Sequence, residues 1–126
     1  SGLPDTWHVG KELYRLAGVG PEDIDVAQLY DPFSLGGILQ LEELGFCGRG
    51  EGTDFIAGGD NIRVGGKIPI NTSGGLLSEA YIHGYNLIIE AVRQIRGTST
   101  SQVDDVELSM VTGGPGLPTS GMILRK

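Results

Sequence analysis

Cysteine is almost absent: Cys47 is the only one in 126 residues. That excludes an internal disulfide and any cysteine cluster for zinc or iron–sulfur, and it points to a reducing, cytoplasmic setting. Long apolar runs are missing too. No stretch approaches the roughly 20 residues needed to cross a bilayer, and no charged-then-apolar leader precedes the first amphipathic segment, so a membrane is not an expected partner. Positive charge is scarce: 9 Lys+Arg stand against 16 Asp+Glu, a formal net charge of -7. Such a field repels phosphate backbones and argues against nucleic acid as a partner. Arg93, Arg96, Arg125 and Lys126 are too scattered to make a patch for a nucleotide tail.

Several motifs are absent as well. There is no GxxxxGKS/T run, no GxGxxG joining a strand to a helix, and no HExxH, which removes the usual phosphate-loop, dinucleotide and zinc-protease readings. No GxSxG elbow exists, and only His8 and His83 are available as a base, so a Ser-His-acid hydrolase is poorly supported. His8 falls on the polar side of the first helix and reads as solvated.

What is present is a chain of single-domain size whose 39% hydrophobic content suffices for a core. It opens on Ser1-Gly2-Leu3-Pro4 rather than methionine, as expected of a short tag remnant joined to an internal boundary of a longer chain. Asp5 is placed to cap a first helix running to Gly18, with Gly10, Leu13, Tyr14 and Ala17 on one face. Pro21-Glu22-Asp23 makes a turn, and Ile24 to Tyr30 reads as a mostly buried strand. Ser34 caps a second helix with Leu35, Ile38, Leu39 and Leu44 as its apolar stripe, ending at Gly45.

From Phe46 to Gly66 glycine dominates, and because each glycine loses much backbone entropy on ordering, the stretch reads as an excursion loop covering something. Lys67 to Asn71 is a short extended piece. After Thr72-Ser73-Gly74-Gly75 comes a long helix striped by Gly84, Leu87, Ile88, Ala91, Val92 and Ile95 and stopped by Gly97. Val106 to Val111 and Met122 to Leu124 read as strands around the Gly113-Gly114-Pro115-Gly116 turn. The order α, β, α, loop, α, β, β predicts an α/β fold: a mixed sheet with packed helices and ligands gathered at strand ends.

Three loops lie at those ends: Tyr30 to Ser34, Ser73 to Gly84, and Gly113 to Gly121. The glycine pairs Gly74-Gly75 and Gly113-Gly114 offer bare backbone N–H groups to an anion or oxyanion, although glycine pairs at turns are commonly plain punctuation. Tyr30 ends a strand and Tyr81 stands near the start of the long helix, so either phenol is deliverable to a substrate, with core packing as the alternative for each. Cys47 reads as a small buried hydrophobe.

The segment Asp23-Ile24-Asp25-Val26-Ala27-Gln28-Leu29-Tyr30-Asp31-Pro32-Phe33-Ser34, then Gly45-Phe46-Cys47, then Asn71-Thr72-Ser73-Gly74-Gly75-Leu76-Leu77-Ser78-Glu79, closely resembles the C-terminal domain of thiolases of the sterol-carrier-protein, lipid-transfer type. The resemblance spans nearly the whole chain. It implies a thiolase-like C-terminal half over residues 1–126, a sheet of the five-stranded type, and a similarly folded N-terminal half that carries the nucleophilic cysteine in ordinary thiolases.

The departures from that pattern are as informative. The branch normally has His-Asp-Cys-Phe where this chain has Tyr30-Asp31-Pro32-Phe33, and Gly-His-Pro where it has Ala80-Tyr81-Ile82. Its acid/base Cys-x-Gly corresponds to Val111-Thr112-Gly113, without a thiol. Two tyrosines at the histidine positions, together with the loss of the cysteine, resemble the thiolase-like aldolases that shorten steroid side chains. The resemblance implies retro-aldol cleavage of a β-hydroxyacyl-CoA, with a steroid side chain as the expected substrate and a ketone and propionyl-CoA as the products.

In that reading Tyr30 and Tyr81 are catalytic, while Gly113 and Gly114, His83 and Ser73 bind the oxyanion or substrate. Coenzyme A enters only as part of the thioester, no cofactor is bound covalently, and no metal is expected. The expected partners are the N-terminal half, a second full-length copy in a homodimer, and an OB-fold, zinc-ribbon acyl-CoA-binding protein. The isolated domain is expected to be inactive. The alternatives are an acetyl-CoA acetyltransferase or other thiolase, a non-catalytic acyl-CoA-binding lipid-transfer protein, and an assembly scaffold.

Overall fold

The computed structural model describes residues 4–79, 83–114 and 119–126. Helix α1 spans Pro4–Ala17 and stops where Gly18 takes a positive φ of 69. Asp5 lies in its first turn rather than at the cap. A short 3-10 turn, Pro21–Asp23, is closed by the Asp23 carboxylate accepting the Gly20 N–H at 2.9 Å. Strand β1 covers only Val26–Gln28, yet burial extends from Val26 through Leu29, as expected of a strand covered on both faces.

Helix α2 spans Ser34–Glu43 and α3 spans Gly52–Ile56. Helix α4 covers Tyr85–Arg96 between two left-handed glycines, Gly84 (φ 86) and Gly97 (φ 73). Strands β2, Leu108–Gly113, and β3, Ser120–Arg125, complete the fold. Strand β1 pairs parallel with β2, placing Gln28 opposite Val111, and β2 pairs antiparallel with β3. Among the described residues the sheet therefore has three strands, β1-β2-β3, with one isolated parallel bridge from Ala27 to Ile70 rather than the five-stranded arrangement expected. Lys67 to Asn71 supplies that bridge: the Ala27 N–H donates to the Pro69 carbonyl and the Ala27 carbonyl accepts the Asn71 N–H, each at 3.0 Å, while the carbonyls of Asn61 and Ile62 accept the N–H groups of Ile68 and Ile70 on its other edge.

Alternation along the strands divides the interior into two. Ala27, Leu29, Leu108 and Met110 face a large apolar cluster completed by Leu41, Leu44, Phe46 and Ile68. Val26, Gln28, Tyr30 and Val111 face α4. Helix α1 closes on α2 at Gly10, where a Cβ would come within 2.9 Å of the Leu44 side chain, and the Tyr14 hydroxyl donates to the Leu44 carbonyl at 2.6 Å. Burial, with Glu22 nearby, pushes the Tyr14 phenol well above its ordinary range, so this bond keeps its proton.

The buried stripe of α2 differs from the apolar stripe in the sequence. Leu35 is 63% exposed, whereas Gln40, Leu41 and Leu44 are buried. The helix is rotated so that a glutamine points inward, which the site explains. The glycine-rich excursion holds one short helix, α3, and contributes Phe55, Ile56 and Ile62 to the edge of the main cluster, so it does cover the core. Cys47 is half-buried at the same edge; burial, then Glu42 and Glu51, push its thiol pKa up, in keeping with a packing role. Among the described residues no helix is long and apolar enough to cross a membrane.

Candidate active site at the carboxyl ends of β1 and β2

Tyr30 lies two residues past the end of β1, and both of its backbone polar groups are held. Its backbone N–H donates to the Thr112 hydroxyl at 2.9 Å, and its carbonyl accepts the Gln40 side-chain amide at 2.6 Å. The Thr112 hydroxyl in turn donates to the Gln40 amide oxygen at 2.5 Å, closing a ring of three bonds between the end of β1, α2 and β2. Gln40 and Thr112 are 0% and 1% exposed, so the ring is shielded from water. The Tyr30 ring packs with Leu76, Leu87 and Val111 and lies against Gly84, where a Cβ would sit 3.2 Å from two of its ring carbons. Glycine at 84 is thus required twice, by its positive φ and by the approach of the phenol.

The next residue ties down the glycine-rich loop. Asp31, 8% exposed, accepts the Leu76 N–H at 2.8 Å. Its carboxylate occupies the space a Cβ at Gly75 would need, and Gly75 has a φ of 68. Asn71, itself at a φ of 48, accepts the Leu29 N–H on its side-chain oxygen at 2.7 Å. The loop 71–76 is therefore clamped to the end of β1 from both sides. Ser73 sits within it, and its hydroxyl donates to Glu79 at 3.3 Å.

His83 and Gly113 line one cavity of about 290 Å³ with Gly84, Ile88, Val111 and Ser120. His83 is exposed at a φ of 54, and Gly114 has a φ of 93. The Gly113 carbonyl accepts the Ser120 hydroxyl at 3.1 Å. The structure thus brings Tyr30, His83 and Gly113 around the seam between the start of α4 and the ends of the strands, while Ser73 lies on the clamped loop beside it. Tyr81 lies outside the described residues. A second, apolar cavity of about 160 Å³ flanks Asp31 and Asn71 on the side of Ile38, Ile56 and Ile62.

Behind the loop is a buried polar cluster. Glu90, 3% exposed, accepts from the hydroxyls of Thr72 at 2.7 Å and Ser99 at 2.5 Å and from the Gln94 amide at 3.0 Å. Gln28 donates to Thr72 at 3.0 Å, and its side-chain oxygen has no hydrogen-bond partner among the described residues. Among the described residues no group of three His, Cys, Asp or Glu side chains is placed to hold a metal ion.

Gln40, Thr112, Asp31 and Asn71 all act in this arrangement without having been assigned a role from the sequence. The available signal was polarity in the wrong place: Gln40 lies one helical turn before Leu44, and Thr112 follows Met110 and Val111 in a buried strand.

Comparisons with known proteins show what the chain is similar to. The chain is 57% identical over 123 residues to the 17-hydroxy-3-oxo-4-pregnene-20-carboxyl-CoA lyase of Mycobacterium tuberculosis, covering 98% of this chain and 32% of that protein. It is 56% identical over 124 residues to the steroid side-chain-cleaving aldolase of Thermomonospora curvata, with the same two coverages, 98% and 32%. A solved structure, the Ltp2-ChsH2(DUF35) aldolase, superposes with a TM-score of 0.95 at 56% identity over 98% of this chain and 32% of its own. The chain thus spans about a third of the length of these relatives. The family described as thiolase C-terminal domain-like matches residues 5–125, and the chain belongs to that family.

Proposed function

We propose that the protein containing this domain cleaves the Cα–Cβ bond of a β-hydroxyacyl-CoA by a retro-aldol reaction. The observation that carries the proposal is Tyr30 held just past the carboxyl end of β1, its ring against Gly84 and its backbone N–H bonded to Thr112, the residue before Gly113, in a chain 57% identical to a lyase of a CoA thioester. A retro-aldol step needs one group to take the β-hydroxyl proton as the carbonyl forms and the C–C bond breaks. It needs another to protonate the resulting enolate at Cα. Tyr30 and Tyr81 divide these roles, Tyr81 entering on its sequence position alone.

The enolate oxygen of the thioester requires a donor that is already in place, and the N–H of Gly113 is suited to it because a peptide donor does not depend on the side chains around it. No acyl-enzyme forms in such a reaction, so Val111 in place of a thiol is compatible with it. An unperturbed phenol with a pKa near 10 is a poor base at neutral pH, so the site must supply the proton acceptor its help through fixed contacts.

The domain acts as the C-terminal part of a larger chain. Tyr85 is 67% exposed and Ile89 46% on the outer face of α4, which supports cover by the expected N-terminal half. A homodimer of full-length chains and an accessory acyl-CoA-binding protein complete the proposed assembly, the latter supported by the second component in the name of the solved relative. The acyl group proposed is a steroid side chain with a tertiary β-hydroxyl, released as a ketone and propionyl-CoA.

The test uses the full-length protein with its accessory partner and such a substrate, with no free coenzyme A added. Tyr30→Phe and Tyr81→Phe each lower the rate of ketone formation by about 10²- to 10⁴-fold, the usual contribution of a proton-transfer group. Thiolysis of a β-ketoacyl-CoA in place of this cleavage would return the protein to the acetyltransferases. Acyl-CoA binding without turnover of either substrate would make it a carrier.

A further inference from the structure

Helix α2 turns a glutamine into the interior beside Leu41 and Leu44, and the proposal starts from that residue. Gln40 is fully buried while Leu35, on the same helix, is 63% exposed. A buried amide is costly unless its donors and acceptor are satisfied. Here they are: the Gln40 nitrogen donates to the carbonyls of Tyr30 and, at 3.2 Å, Gly36, and its oxygen accepts from Thr112. The ring formed with Thr112 takes up both backbone polar groups of Tyr30 just where the β1 ladder has ended and no strand partner remains for them.

Thr112 has a second connection. It precedes Gly113 in β2, and the peptide between them carries the Gly113 N–H. A displacement of Thr112 therefore moves the proposed oxyanion donor and the backbone of the proposed proton-transfer phenol together. One side chain sets the relation between the two.

We infer that Gln40 and Thr112 are positioning residues that hold the Tyr30 phenol in register with the Gly113 N–H, without touching substrate themselves. The inference rests on the reading of Tyr30 and Gly113 given above. Misplacing a reacting group by about 1 Å costs on the order of 100-fold in rate, so a ring of this kind acts on turnover far more than on binding.

The experiment compares Thr112→Val, Thr112→Ser and Gln40→Met with Tyr30→Phe in the full-length protein with its accessory partner. Thr112→Val keeps the shape and loses the hydroxyl, Thr112→Ser keeps the hydroxyl, and Gln40→Met cuts the ring at its opposite corner. Thr112→Val and Gln40→Met lower kcat by about 10- to 100-fold with KM changed by less than about threefold, and Thr112→Ser restores most of kcat. Circular dichroism and the unfolding midpoint are recorded on every variant. Should Thr112→Val not fold, Gln40→Met carries the comparison.

A fall in unfolding midpoint with kcat unchanged, or equal loss in Thr112→Val and Thr112→Ser, overturns the positioning role while leaving Tyr30 intact. Tyr30→Phe with full activity overturns the reading of Tyr30 and the positioning role with it.

Discussion

The two faces of the sheet are built from different materials. On the α1 and α2 side, Leu29, Leu41, Leu44, Met110 and their neighbours form one continuous apolar cluster. On the α4 side the apolar contacts split into two smaller groups, around Leu87 and around Val26, and between them stand Gln28, Glu90 and Gln94, all buried. Non-directional burial supplies most of the stability on the first face. On the second, hydrogen bonds of fixed direction hold loop 71–76 and the start of α4, the segments that approach the candidate site. The difference teaches that apolar burial and directed polar contacts are concentrated on opposite faces of one thin sheet, with Gln40 a polar group on the more apolar side that reaches Tyr30.

The contrast breaks most sharply under truncation. Leu41→Ala removes a fully buried side chain from the continuous cluster and costs about 2–5 kcal/mol, read as a lowered unfolding midpoint. Leu87→Ala, in the smaller cluster, falls nearer the lower end of that range. Equal losses at the two positions, or a larger one at Leu87, would show that α4 carries the fold as much as α1 and α2 do.

Glu90→Ala probes the polar face and has a smaller effect on stability. It leaves Thr72, Ser99 and Gln94 short of an acceptor, at a cost of about 1–3 kcal/mol. Because Thr72 begins the clamped loop, turnover of the full-length protein falls as well; a variant with reduced stability and unchanged turnover would assign the cluster to folding alone.

The smallest effect is at Cys47. Its pKa is raised, so at a given pH less of it is thiolate than in a free thiol, and it alkylates slowly near neutrality, speeding up only above the ordinary thiol range. Cys47→Ala leaves turnover within about twofold, as a packing residue distant from the chemistry should. Alkylation at the rate of a free thiol, with loss of activity, would move Cys47 into the functional site.

The sequence made the elements legible where local rules decide them. Gly18 and Gly97 end helices at positive φ, and the Leu87, Ile88, Ala91 stripe packs against β2 as its spacing requires. The long helix begins at Tyr85, later than the stretch after Gly75 suggested, because Asp31 draws the Leu76 N–H away and fixes that loop in turns. In α2 the burial of Leu44 was legible, but that of Gln40 and the exposure of Leu35 were not, since Gln40 turns inward on partners 10 and 72 residues away in sequence. Asn86, Glu90 and Gln94 likewise look like a solvated stripe by spacing; only the tertiary partners of Glu90 and Gln94 account for their burial. Tyr30 came from a departure of the chain from the thiolase pattern and Gly113 from a position where the chain keeps it, and the structure sets them near neighbouring strand ends.

The central claim is that this fold moves protons around a breaking C–C bond rather than transferring an acyl group. The most direct measurement runs the full-length protein and its partner in deuterium oxide on a tertiary β-hydroxyacyl-CoA, with free coenzyme A rigorously omitted, and weighs both products by mass spectrometry. The account predicts ketone and shortened acyl-CoA in equal amounts, the acyl-CoA carrying a single deuterium at Cα. Cleavage that appears only when free coenzyme A is added would contradict it.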